Sequence, residues 1–69
     1  MKVIKTNPRS VDVNLSLEEI IIINNALNEV CNALDQFEFQ TRMGVEHYEV
    51  EKLLKQINAI VVYMESKSK

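Results

Sequence analysis

A strong helix start at Ser16 divides the chain into a short β-prone segment and a long helical one. Ser16 is followed three residues later by Glu19. In this pattern the serine hydroxyl accepts a hydrogen bond from the glutamate amide, and the glutamate side chain bonds back to the serine amide. Four consecutive isoleucines at 20–23 then begin a broad apolar stripe. We therefore predict a helix from Ser16 to about Leu34 and expect residues 1–15 to fold differently.

The length of 69 residues allows one hydrophobic core, because a second core would be too small to be stable. Apolar residues make up 46% of the chain, which is too many for a disordered protein. A core of this size rarely supplies more than about 3–5 kcal/mol. Cys31 is the single cysteine, so no intrachain disulfide adds to that stability. The lone thiol favours a reducing compartment, and we expect a cytoplasmic, bacterial protein that gains stability by self-association.

Residues 1–15 read as a β-hairpin or, alternatively, as an extended arm. Val11, Val13 and Leu15 alternate with polar residues, which is typical of a half-buried strand. Pro8 lies in a turn-forming stretch at 7–10. A two-stranded hairpin is marginally stable alone. It would need a helix or a second copy of the chain to cover it.

Two further helices are predicted beyond residue 35. The first is short, at 36–43, with Phe37 and Met43 inward and Gly44 as its left-handed end. The second runs from about Glu46 to Glu65, and residues 59–64 are β-branched enough that a strand is the alternative there. Its heptad-like seam comprises Val50, Leu53, Ile57, Ile60 and Met64, broadened by Leu54 and Val61.

The predicted fold is mainly α, with an N-terminal arm or β-hairpin at 1–15 and a helical domain at 16–65. Within that domain, two long antiparallel helices are joined by a short helix as a helical hairpin. Residues 66–69, rich in serine and lysine, are expected to be a flexible tail.

A DNA-binding regulator is one of three functional hypotheses that the sequence allows. It arises because residues 37–54 resemble a helix-turn-helix pattern. Gly44 fills the turn, and Phe39, Val50 and Leu53 fill buried positions. The carboxylates of the would-be recognition helix oppose this function, because they would face phosphates. They belong to Glu46, Glu49 and Glu51. The net charge of −2 also argues against nucleic acid as a partner.

Catalysis and metal binding find little support in the sequence. His47, Glu51 and Cys31 form the best candidate cluster, but one histidine and one cysteine are too few for a structural zinc site. A single glycine excludes a glycine-rich phosphate loop. We therefore expect no enzyme activity and no cofactor. No apolar run approaches the ~20 residues that a membrane helix needs, so we expect no membrane association.

Two surfaces are the candidate functional sites of a non-enzymatic protein–protein interaction module, which we expect to be a homodimer. The first is an apolar assembly surface, because the helices carry more apolar positions than a small monomer can cover. It comprises Ile21, Ile22, Ile57, Ile60, Val62 and Tyr63. The second is a polar partner face on the first helix. It comprises Asn24, Asn28, Glu29 and Asn32.

An inhibitor of a basic toxin, of the immunity or antitoxin type, is the alternative function. Residues 16–40 carry five carboxylates and no lysine or arginine, and acidic surfaces accelerate association with basic targets. The chain also resembles a group of short bacterial helical proteins without assigned activity. The resemblance covers residues 15–57 and rests on NNALNEVCN at 24–32, FEFQTRMG at 37–44 and EVEKLL at 49–54. It implies no functional residue; some such proteins are companions of toxins, which agrees with this alternative.

Overall fold

A computed structural model describes residues 1–67, which form a two-stranded antiparallel hairpin followed by three helices. The elements are β1 (Lys2–Asn7), β2 (Ser10–Asn14), α1 (Leu17–Ala33), α2 (Gln36–Met43) and α3 (His47–Lys67). The mainly α class is confirmed, and residues 1–15 form the hairpin rather than the extended arm. Residues 59–64 lie inside α3, so the helix prediction there was right and the strand alternative was wrong.

The hairpin has one apolar face. Val11 and Val13 lie on that face of β2, because side chains alternate along a strand. Val11 pairs with Thr6 of β1, and Val13 pairs with Val3. The register shifts between Val3 and Lys5, so Ile4 has no partner in β2 and forms a bulge. Every residue of β1 is exposed. Within residues 1–67 neither strand packs against a helix, so the protein's own helices do not cover this apolar face.

Helix caps account for the boundaries of α1 and α2. The Ser16 hydroxyl accepts from the Glu19 amide at 3.1 Å, and the Ser16 amide donates to the Glu19 carboxylate at 3.0 Å. This confirms the predicted capping box. At the start of α2 the Asp35 carboxylate accepts from the Glu38 amide at 2.8 Å. Gly44 ends α2 with φ of 76°, the left-handed conformation predicted for the only glycine.

The core is small and lies between the helices. Among residues 1–67, four apolar side chains are buried: Ile20, Phe39, Val50 and Val61. They come from all three helices, of which α1 packs against α3 and α2 also packs against α3. This core is the part of the chain that fixes the positions of both candidate surfaces.

The inward row of α3 differs from the predicted seam. Leu53 and Ile60 were expected in the seam, but they are 47% and 45% exposed. Leu54 and Val61, their neighbours in the sequence, take the inner positions instead. Both rows repeat at alternating steps of three and four residues, so the heptad spacing does not choose between them. The direction in which α1 approaches α3 makes that choice.

Phe37 was predicted to point inward, and that prediction was wrong. Phe37 is 92% exposed, whereas Phe39 is completely buried. Residues two positions apart in a helix are separated by about 200° around its axis. Phe37 and Phe39 therefore cannot both face the core, and Met43, one turn after Phe39, is half-buried as expected.

The C-terminal end of α3 is longer than predicted. The helix continues through Ser66 and Lys67, which were expected to belong to a flexible tail. The Ser66 hydroxyl donates to the Tyr63 carbonyl at 2.8 Å. The Lys67 ammonium lies 5.5 Å from the centre of the Tyr63 ring. These contacts hold the last described turn, and positions 68 and 69 lie outside the described residues.

Candidate functional site

An amide-rich groove lies between α1 and α3. It has a volume of 370 Å³ and is lined by Asn24, Asn28, Leu54, Lys55 and Asn58. We call it the asparagine groove. Its walls offer three carboxamides and one ammonium above a single apolar side chain. Each carboxamide can both donate and accept hydrogen bonds, so the groove can bind a ligand that also carries donors and acceptors.

Asn24, a residue of the asparagine groove, also has a buried side-chain atom without a hydrogen-bond partner. Asn24 Oδ1 is the single buried side-chain nitrogen or oxygen without a partner among residues 1–67. An unpaired buried polar atom destabilises a fold by about 1–3 kcal/mol. Asn24 therefore makes the fold less stable than an apolar residue of the same shape would.

The predicted polar partner face is divided by the structure. Asn24 and Asn28 line the asparagine groove. Glu29 and Asn32 are exposed but do not line it. The second wall, from α3, was missed, because the sequence does not show which side of α3 meets α1. The one sequence feature that could have indicated this wall is the three-residue spacing of Lys55 and Asn58, which places both on one side of α3.

The predicted assembly residues lie on more than one side of the helix pair. Ile22, Ile60, Val62 and Tyr63 are exposed, whereas Ile21 and Ile57 are partly buried. Ile60 and Val62 are two residues apart and so lie about 200° apart around α3. Tyr63 lies near Ile60, and Val62 follows Asn58 by one turn. The structure therefore groups Ile60 with Tyr63 and places Val62 on the groove side.

An apolar surface lies on the side of the helix pair away from the asparagine groove. Leu53 and Ile60 are each two residues from a groove residue of α3, and Ala26 is two residues from both asparagines of α1. That spacing turns them about 200° away from the groove. We call the exposed residues of this side the apolar face. It comprises Ile22, Ala26, Leu53, Ile60 and Tyr63.

The candidate cluster of His47, Glu51 and Cys31 links α3 to α1 through the His47 ring. His47 Nδ1 lies 3.1 Å from a Glu51 carboxylate oxygen, and His47 Nε2 lies 3.3 Å from the Cys31 carbonyl oxygen. The contact with Cys31 is therefore to its backbone. Burial raises the pKa of the Cys31 thiol, and the negative charge of Glu51 raises it further. A thiol with a raised pKa stays protonated at neutral pH and is a poor nucleophile.

Residues 1–67 carry neither a cluster of metal ligands nor a membrane-spanning helix. No group of three or more His, Cys, Asp and Glu residues within positions 1–67 could hold a metal ion. None of the helices over the same positions combines the length and the apolar character needed to span a bilayer.

The segment predicted to be a helix-turn-helix has α2, the turn at Gly44 and the start of α3. Phe39 and Val50 are buried as predicted, but Leu53 is not. The amide of Glu46 donates to the Glu49 carboxylate at 3.0 Å. The first turn of α3 therefore presents carboxylates at the position where a recognition helix would meet DNA.

Comparison with known proteins identifies no relative. No protein-family model, no curated protein and no solved structure matches this chain.

Proposed function

We propose that this protein is a small non-enzymatic protein–protein interaction module that works as a homodimer. The observation that carries the proposal is its accessible surface of 5683 Å². A compact monomer of 8.0 kDa has an accessible surface of about 4,500 Å². The chain thus exposes about 1,200 Å² more than expected, and a stable interface buries about 800 Å² on each partner. A second copy of the chain can cover this excess.

The flat, extended shape of the chain supports the same proposal. The radius of gyration is 13.8 Å, whereas a compact domain of 69 residues has about 11 Å. The chain extends over 39 × 33 × 15 Å. A thin chain with a small core gains stability when a second copy adds another layer of helices.

We infer that α1 and α3 form an antiparallel helical hairpin and that its apolar face is the dimer interface. His47, the first residue of α3, contacts Cys31 near the end of α1, which supports opposite helix directions. The same alignment places Ile22 of α1 near the level of residue 56 of α3, one turn before Ile60, and Ala26 near the level of Leu53. The small Ala26 side chain, between Ile22 and Leu53 on this face, allows a helix of the second copy to approach closely.

The uncovered hairpin adds to the surface that a second copy would bury. Val3, Ile4 and Val11 are 53%, 64% and 51% exposed. Isolated two-stranded hairpins are marginally stable in water. Contact with the second copy would supply the cover that the chain's own helices do not give.

The interface is tested with two matched lysine substitutions. Ile60→Lys puts a charge into the proposed interface, and we expect a folded monomer by light scattering and circular dichroism. Val62→Lys is the control, because Val62 is also exposed but lies on the groove side; we expect a dimer. A dimeric Ile60→Lys variant, or a monomeric Val62→Lys variant, would contradict the assignment of the interface to the apolar face.

The immunity or antitoxin role and the DNA-binding role stay predictions of the sequence. Binding of DNA can be checked by a gel shift at low salt, where non-specific contacts are strongest. The absence of any shift there would remove the DNA-binding hypothesis.

A further inference from the structure

We propose that two copies of the chain pack antiparallel across the apolar face, so that the base of each hairpin meets the acidic end of the other copy's helix pair. The proposal rests on the homodimer proposed above. It adds the relative direction of the two copies and a second contact between them. That contact joins Lys2 of one copy to Glu29 and Glu49 of the other.

The two ends of the helix pair differ in charge. Residues 29–51 cover the end of α1, all of α2 and the start of α3, and they carry six carboxylates and one arginine, a sum of −5. Residues 1–15, which join the other end of α1, carry three bases and one carboxylate, a sum of +2. The helix residues of that end carry three carboxylates and one lysine, so the end as a whole is balanced. The charged helix residues there are Glu18, Glu19, Glu65 and Lys67.

Two carboxylates lie where the apolar face ends. Glu29 follows Ala26 by three residues and Glu49 precedes Leu53 by four, so each shares a side of its helix with that apolar residue. The contact of His47 with the end of α1 places the two glutamates at the same level along the helix pair. Both are exposed. One end of the apolar face is therefore marked by a pair of negative charges.

The extent of the apolar face fixes where a two-fold axis would cross it. Along the axis of α1, its residues reach from Ala26 back to the level of residue 15, where Tyr63 of α3 lies. Their midpoint is near residue 21, about 12 Å from the level of Glu29. An antiparallel copy centred on this midpoint brings Glu29 to about 6 Å before the first residue of α1. The base of the hairpin, with Lys2 in its first strand pair, lies in that region.

Charge favours the antiparallel arrangement over a parallel one. A parallel dimer through the same face would place Glu29 and Glu49 of one copy against the same residues of the other. Like charges that meet across an interface destabilise it, whereas opposite charges favour and accelerate association. Within residues 1–67 neither Lys2 nor Glu29 forms an ion pair. Both charges are therefore open to a second copy.

Energy transfer between labelled copies measures their relative direction. Asn32, one turn after Asn28, and Val62 are exposed and turned away from the apolar face, so labels there leave it free. Asn32→Cys and Val62→Cys are made in a Cys31→Ala background and labelled with a donor or an acceptor. Antiparallel copies place two Asn32 labels about 30 Å apart along the helix axes, but an Asn32 label only about 10 Å along the axes from a Val62 label. We expect the strongest transfer between unlike positions.

Charge reversal tests the contact itself. Glu29 is changed rather than Glu49, because the Glu49 carboxylate accepts a hydrogen bond at the start of α3. We expect Lys2→Glu and Glu29→Lys each to raise the dimer dissociation constant about tenfold, because the two-fold axis repeats each change. The double variant should recover most of the loss. Lys55→Glu and Asn58→Lys, on the groove side, are the matched controls and should change the dissociation constant little.

The outcomes separate this proposal from that of the homodimer. Transfer in none of the label combinations would mean that no dimer forms, and both proposals would fall. Strongest transfer between like positions, or a tighter dimer in the Glu29→Lys variant, would overturn the antiparallel contact and leave the homodimer standing. Circular dichroism of each variant shows whether its helices are intact, so that a loss of binding is not caused by misfolding.

Discussion

Phe39 packs edge-on against the His47 ring, with the ring centres 4.8 Å apart and the ring planes inclined at 72°. This is the edge-to-face geometry that aromatic rings favour. Phe39 is the only completely buried side chain of the described residues. His47 also contacts Cys31 and Glu51, so this ring pair joins α2 to both long helices. It is the point where the three helices meet.

The ring pair predicts a large difference between two phenylalanines. Phe39→Ala removes a fully buried ring, and such a change destabilises a protein by about 3–5 kcal/mol. That equals the whole stability expected of one small core, so we expect no cooperative unfolding transition. Phe37→Ala is the matched control, because Phe37 is 92% exposed, and its effect should stay within about 0.5 kcal/mol. Urea unfolding followed by circular dichroism measures both; equal losses would contradict the assigned packing.

Asn24→Leu is expected to stabilise the fold. The substitution removes a buried acceptor that has no partner and keeps a side chain with the same branching and the same number of heavy atoms, so the gain is about 1 kcal/mol. Asn25→Leu, one residue along and exposed, should change stability little. Both are compared with the wild type by urea unfolding at one protein concentration, because the stability of a dimer depends on concentration. A destabilised Asn24→Leu variant would show that the amide has a structural partner.

Glu19 predicts a specific dependence on pH. Its carboxylate accepts a hydrogen bond from the Met1 ammonium, and the Ser16 amide donates to it as well. These two donors lower the pKa of Glu19 from 4.5 to about 2. A carboxyl whose pKa is lower in the folded chain contributes stability above pH 4.5, and that contribution is lost as the pH falls towards 2.

The Glu19 prediction is checked by a carbon-13 NMR titration of its carboxyl group. Acetylation of the Met1 amine removes the ammonium, which is the largest cause of the shift. We therefore expect the pKa of Glu19 to rise towards its usual value in the acetylated protein. An unchanged titration curve would show that the ammonium is not a partner of Glu19 in solution.

Local signals in the sequence predicted much of the fold. The hydroxyl of Ser16 and the left-handed glycine at 44 mark helix ends through their own backbone chemistry, so no knowledge of distant residues was needed. The alternation of Val11 and Val13 likewise predicted the strand β2, although it left a hairpin and an extended arm as alternatives for residues 1–15. These features depend on neighbours within a few residues.

Features that depend on two distant segments were harder to predict. Leu53 and Leu54 are adjacent in the sequence and equally apolar, and only the approach of α1 decides which of them faces the core. The asparagine groove has the same difficulty. Asn24 and Asn28 were identified as polar partner residues, but Lys55 and Asn58 became wall residues only through the packing of α3 against α1.

The central claim is that a second copy of the chain covers the excess surface, and molar mass tests it most directly. Light scattering during size exclusion is measured over a series of protein concentrations. The proposal predicts a mass near twice 8.0 kDa that persists on dilution. A mass of 8.0 kDa at every concentration, with a folded circular dichroism spectrum, would contradict it.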